Sequence, residues 1–127
     1  GSKYWRPENV LKVCEGRSRR IGACGDLGYW MRAGIDPIQA AGLLKERLLT
    51  VQMHDLHERG PEGHDVPWGT GVGQTEQFLK ELKRLGIQPT MFGLEYSYNW
   101  FESMPQIAQC IQFFNGVSQE LATRGEP

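Results

Sequence analysis

No run of this chain is apolar for long enough to cross a bilayer, which takes about 20 consecutive residues. Charge of one sign is not in excess either, since 14 Lys and Arg stand against 15 Asp and Glu. The cations are spread along the chain and could not neutralise a row of phosphates, which argues against a nucleic-acid partner. Cysteine is sparse. Cys14, Cys24 and Cys110 make an odd number with no CxxC spacing, and each sits within an apolar pattern. They read as buried free thiols, a usage that suits a reducing cytoplasm. There is no internal repeat and no low-complexity segment. What is present is one domain's worth of chain, 127 residues, able to bury a modest core. Gly1-Ser2 reads as a cloning scar, which leaves residues 3–127 as the expected domain.

The hydrophobic pattern alternates between two periods. Pro7 suits a first helical turn, Val10, Leu11 and Cys14 repeat at helical spacing, and Gly16 closes the segment. Residues 21–26 then form a short uncharged run that ends in Asp26, as in a buried parallel strand. Asp36-Pro37 is an N-cap followed by proline, and Ile38, Ala41, Leu44 and Leu48 mark the helix after it. Residues 48–55 predict a second strand, with Thr50, Gln52 and His54 on one face and Val51 and Met53 on the other. A long loop rich in Gly, Pro and His, residues 56–73, separates it from a helix striped by Phe78, Leu79, Leu82 and Leu85. Residues 89–95 predict a third strand. Ser103 and Gln106 suggest a capping box for a last helix that buries Ile107, Cys110, Ile111 and Phe114, with a polar tail after Gln119.

Strands and helices in this alternation imply an α/β fold with a parallel sheet and crossover helices. Ligands in such folds gather at the carboxyl ends of the strands. Those ends carry Asp26, then Gln52 and His54, then Glu95. Any one of them is weak evidence, because a strand-end aspartate serves as readily as an N-cap. Together they form an oxygen- and nitrogen-donor set at equivalent places on adjacent strands, which suits Mg2+, Mn2+ or Co2+.

Four segments, in order, resemble xylose-isomerase-like sugar isomerases and epimerases. Gly25-Asp26-Leu27-Gly28-Tyr29-Trp30 is similar to the family's D-T-G-H-W segment, and Thr50-Val51-Gln52-Met53-His54-Asp55 to its H-V-H-L-K-D strand. His64-Asp65-Val66-Pro67-Trp68-Gly69-Thr70-Gly71 matches its H-D-V-P-W-G-T-G loop without change, and Leu94-Glu95-Tyr96 with Asn99-Trp100 resembles its I-E-Y-E-x-N-W ending. The resemblance runs from about Tyr4 to Asn115. It implies a partial (β/α)8 TIM barrel, its last three strand–helix units, from a protein that uses a divalent metal in proton transfer on a ketose or aldose, free or phosphorylated. Asp26 and Glu95 then match metal ligands, with Glu95 also the acid/base, and Gln52 stands where the family has its ligand histidine. His54, Arg59, His64 and Trp68 become candidates for substrate contact, and His54, on the strand face of Gln52 and two residues nearer the carboxyl end, is also placed to replace the missing ligand. Tyr29 replaces a substrate-facing histidine, and the family's first ligand glutamate would precede Lys3. These departures favour an alternative in which the chain is a noncatalytic barrel fragment or assembly module. Endonucleases of the same superfamily would need a basic groove, which the sequence lacks. A three-stranded sheet also has two open edges, so a homo-oligomer is expected.

Overall fold

The computed structural model describes residues 5–124, so Gly1-Ser2, expected to be a cloning scar, and the Tyr4 end of the resemblance lie outside the described residues. Five helices and three strands alternate along it: α1 (Pro7–Cys14), β1 (Ala23–Asp26), α2 (Leu27–Arg32), α3 (Pro37–Leu44), β2 (Leu48–Met53), α4 (Thr75–Arg84), β3 (Met91–Leu94) and α5 (Met104–Arg124). The strands form one parallel sheet in the order β1-β2-β3. This is the architecture that the alternating pattern predicts.

Local chemistry sets most of the boundaries. Pro7 opens α1, and Gly16, at φ +70°, turns the chain away after it. The Asp36 carboxylate accepts from the Ile38 N–H at 2.8 Å, and Pro37 occupies the first position of α3. Phe78, Leu79 and Leu82 bury the inner stripe of α4, and Gly86 at φ +70° terminates it. Helices α1, α2 and α4 pack against α3, and α5 packs against α4. Val51 and Met53 face this helical layer and are fully buried. The other face of the sheet is open, with Met91 52% exposed and Cys24 exposed beside it.

Several boundaries differ from the sequence pattern. The segment after Asp26 is helical, and α2 follows β1 with no intervening loop because Asp26 caps it, accepting from the Tyr29 N–H at 2.8 Å. Helix α3 stops at Leu44, since Lys45 takes φ +46° and a 3-10 turn follows, so Leu48 belongs to β2 alone. Cys24 is not a buried thiol: its place in β1, on the face that Asp26 shares, points it to the open side, whereas Cys14 and Cys110 are buried. Ile111 is 48% exposed, and α5 buries Cys110 and Val117 instead. That helix also continues to Arg124 through the polar tail. The capping box does not form, because the Ser103 hydroxyl donates to the Trp100 carbonyl and the Gln106 amide oxygen has no hydrogen bond.

The loop at 56–73 is folded around one side chain. The Asp55 carboxylate, 1% exposed, accepts four backbone N–H groups: Leu56 at 3.0 Å and Gly73 at 2.8 Å on one oxygen, Gly69 at 2.9 Å and Gly71 at 3.0 Å on the other. A side chain at Gly71 would run into the Leu56 carbonyl and the Asp55 carboxylate, so the close approach requires glycine. Asp55→Ala would strand those donors, at about 1–3 kcal/mol for each one left without water or a new partner. Urea denaturation should show a loss of about 3 kcal/mol or more, with protection of the Gly69, Gly71 and Gly73 amides against hydrogen exchange abolished. A loss below about 1 kcal/mol would mean that the loop holds its shape without this carboxylate.

Candidate metal centre

The sheet ladder ends with Asp26 opposite Gln52, and with Met53 opposite Leu94. The next residues, His54 and Glu95, continue past the ladder on the open face that Asp26 shares, so three side chains converge above the strand ends. His54 Nε2 lies 3.6 Å from Asp26 Oδ1 and 3.4 Å from Glu95 Oε2. One ligand atom from each of the three falls within 4.8 Å of the others. The imidazole is buried, while the Asp26 and Glu95 side chains are 38% and 57% exposed, so the group opens to solvent through its carboxylates.

The far side of the ring is as closely held. His54 Nδ1 is 2.7 Å from Asp65 Oδ1. Asp65 is itself 1% exposed, and its other oxygen accepts the Ser97 N–H at 2.9 Å and the Ser97 hydroxyl at 2.8 Å. Gly28 lies against the imidazole, and a Cβ there would come within 2.9 Å of His54 Cγ. Burial alone would push the His54 pKa down, but the hydrogen bond to Asp65 and the charges of Asp26, Asp65 and Glu95 outweigh it and raise it. Burial likewise opposes ionisation of Asp65, yet the His54 and Ser97 hydrogen bonds hold its pKa down at about 2.

The structure brings together Asp26, His54 and Glu95 of the residues singled out in the sequence, with His54 rather than Gln52 standing between the carboxylates. Gln52 is one pleat back on the same face, packed onto Gly93, with its amide oxygen buried and unpaired. Trp68 is not at the mouth of the site: it is 5% exposed, with its ring edge towards Phe114 on the helical side of the sheet. His64 is half-buried and stacked between His57 and Tyr98, with ring centroids 3.8 Å from each. Arg59 is exposed on the same loop. Sequence reasoning gave no role to Asp65, Ser97 or Gly28. The signal for Asp65 was its place in the unchanged 64–71 segment; Ser97 had none.

No protein-family model and no curated protein matches the sequence. Solved structures do. A xylose isomerase domain protein from Planctomyces limnophilus superposes with a TM-score of 0.75 at 19% identity, covering 92% of this chain and 45% of that one. A D-tagatose 3-epimerase-like protein gives 0.71 at 16% identity, covering 96% of this chain and 44% of its own. An uncharacterised protein from Parabacteroides distasonis gives 0.56 at 30% identity, covering 85% of this chain and 43% of that one. The fold is therefore that of part of a TIM barrel, and the chain spans less than half the length of these solved structures.

Proposed function

We propose that residues 3–127 are the C-terminal part of a sugar isomerase or epimerase of the xylose-isomerase-like type. In this reading Asp26, His54 and Glu95 hold a divalent cation, Mn2+, Mg2+ or Co2+, for proton transfer on a ketose or aldose, free or phosphorylated. The observation that carries it is the convergence of these side chains from the ends of three adjacent strands. Two carboxylates and an imidazole are the hard and borderline donors such ions take. The unpaired Gln52 oxygen on the same face is an available neutral donor. The ion, when bound, would polarise a sugar carbonyl and its neighbouring hydroxyl. Glu95, the most exposed of the three, is placed to take a proton from the carbon beside that carbonyl. His64 and Arg59, on the loop that follows β2, are assigned to substrate hydroxyls or phosphate.

A second reading, a noncatalytic barrel module, is favoured by the chain's covering less than half of its structural relatives. The two readings separate by experiment. Calorimetry should show Mn2+ binding that weakens at least tenfold, about 1.4 kcal/mol, in His54→Ala. Equal affinity in the variant would overturn the assignment of His54. The 127-residue chain alone is expected to turn over no ketose or ketose phosphate. In a protein carrying the whole barrel, Glu95→Gln should abolish turnover; unchanged turnover would favour the noncatalytic module.

The linked titration of His54 and Asp65 gives a pH prediction for the metal-free chain. Asp65, depressed from 3.8 to about 2, contributes stability that is present above pH 3.8 and lost as pH falls towards 2. His54, raised above 6.5, contributes stability that is present below pH 6.5 and lost as pH rises through its folded value. The difference in unfolding free energy between the wild type and Asp65→Asn should therefore peak between pH 3.8 and 6.5 and shrink on both sides. A flat difference across that range would contradict the pairing.

The free cysteines suit a cytoplasmic setting. Strands β1 and β3 each have one unpaired edge within the sheet, next to an open face that includes Met91 and Cys24. Light scattering at micromolar concentration is expected to report a dimer or larger assembly. A monomer with a cooperative melt would overturn that expectation.

A further inference from the structure

We propose that Asp65 and Ser97 form a brace that fixes His54 as the tautomer with its proton on Nδ1, and so presents the Nε2 lone pair to the space between Asp26 and Glu95. The proposal rests on the metal reading above. It concerns residues that the reading leaves without a role.

A neutral imidazole carries one proton, and only the bare nitrogen can act as a ligand. A carboxylate can only accept, so the 2.7 Å contact between Asp65 Oδ1 and His54 Nδ1 places the proton on Nδ1. The second oxygen of Asp65 is taken up by both donors of Ser97, at 2.9 and 2.8 Å. Asp65 therefore cannot swing away without giving up three donors and leaving the buried His54 N–H without a partner.

The position of the brace matters as much as its bonds. Backbone pairing between β2 and β3 ends at Met53 opposite Leu94, one residue short of both His54 and Glu95. Beyond that point Ser97 ties the end of β3 to Asp65, and Asp65 ties the loop after β2 to His54. The brace thus continues the registration of the two strands by side chains where the ladder has stopped. The Tyr96 hydroxyl, donating to the Asp65 carbonyl at 3.3 Å, adds a second tie of the same kind. Outer partners of this sort commonly change metal affinity by about 10–100-fold when removed.

The test is long-range 1H–15N NMR of the metal-free chain at a pH alkaline enough to keep His54 neutral, with Mn2+ calorimetry on the same samples. The wild type should show the Nδ1-protonated tautomer. Asp65→Asn offers one acceptor to three donors, and should mix the tautomers and weaken Mn2+ binding about 10–100-fold. Ser97→Ala keeps the backbone N–H donor and should weaken binding about tenfold, and Ser97→Thr should restore it to within about twofold. If Asp65→Asn does not fold, the Ser97 pair carries the test. A wild-type proton on Nε2, or Mn2+ affinity unchanged in Ser97→Ala, would overturn the brace. Absence of Mn2+ binding to the wild type, with the tautomer still shifting in Asp65→Asn, would keep the brace and overturn the metal reading.

Discussion

The carboxylate of Asp55 organises more of this molecule than any other side chain. Its two oxygens gather four N–H groups from a loop with no helix or strand of its own. A buried charge is tolerated only when it is fully hydrogen-bonded, and those amides meet that requirement. The loop is drawn back onto the end of β2, its glycines approach where side chains could not, and Trp68 is carried into the core beside Phe114. The same winding brings Asp65 under the imidazole of His54. The geometry of the site is thus inherited from a carboxylate that does not belong to it.

Two neighbouring residues of one strand end divide these tasks. Asp55 turns towards the loop and His54 towards the open face, as alternation along an extended chain requires. Asp55 bonds only backbone and gives the loop its shape; Asp65 bonds two side chains and the Ser97 N–H, and connects that shape to His54 and Ser97. Gly28 completes the enclosure from the first strand unit, because the ring lies only 2.9 Å from where a Cβ would be. The imidazole is therefore held by residues from all three strand units, although its own strand stops at Met53.

Legibility in the sequence followed the range of the interaction. Helix α3 was readable because its cap and proline are adjacent, and α4 because Phe78, Leu79 and Leu82 repeat within it. Helix α2 was not: it has six residues, two of its positions are taken by Gly28 and Tyr29, and its cap is the aspartate that also faces the site. Asp26 and Glu95 were legible as strand-end carboxylates. Which of Gln52 and His54 approaches them was not, since both lie on one face of the extended segment and a period of two cannot say which lies nearer. His54, one residue past the end of the ladder and bonded to Asp65 eleven residues further on, is the one between them. Trp68 shows a related limit: an unchanged loop motif suggests contact with a ligand, while its burial beside Phe114 depends on residues far along the chain.

The spatial order of the strands, β1-β2-β3, is also their order along the chain. Strands β2 and β3 each pair with the one synthesised just before, so among the described residues no strand pairing skips a strand. Loop-closure entropy is then met in two modest steps rather than one large one. During synthesis the growing sheet always presents a finished edge to the next segment, so this part of a barrel can be laid down progressively, one strand at a time, as the chain emerges.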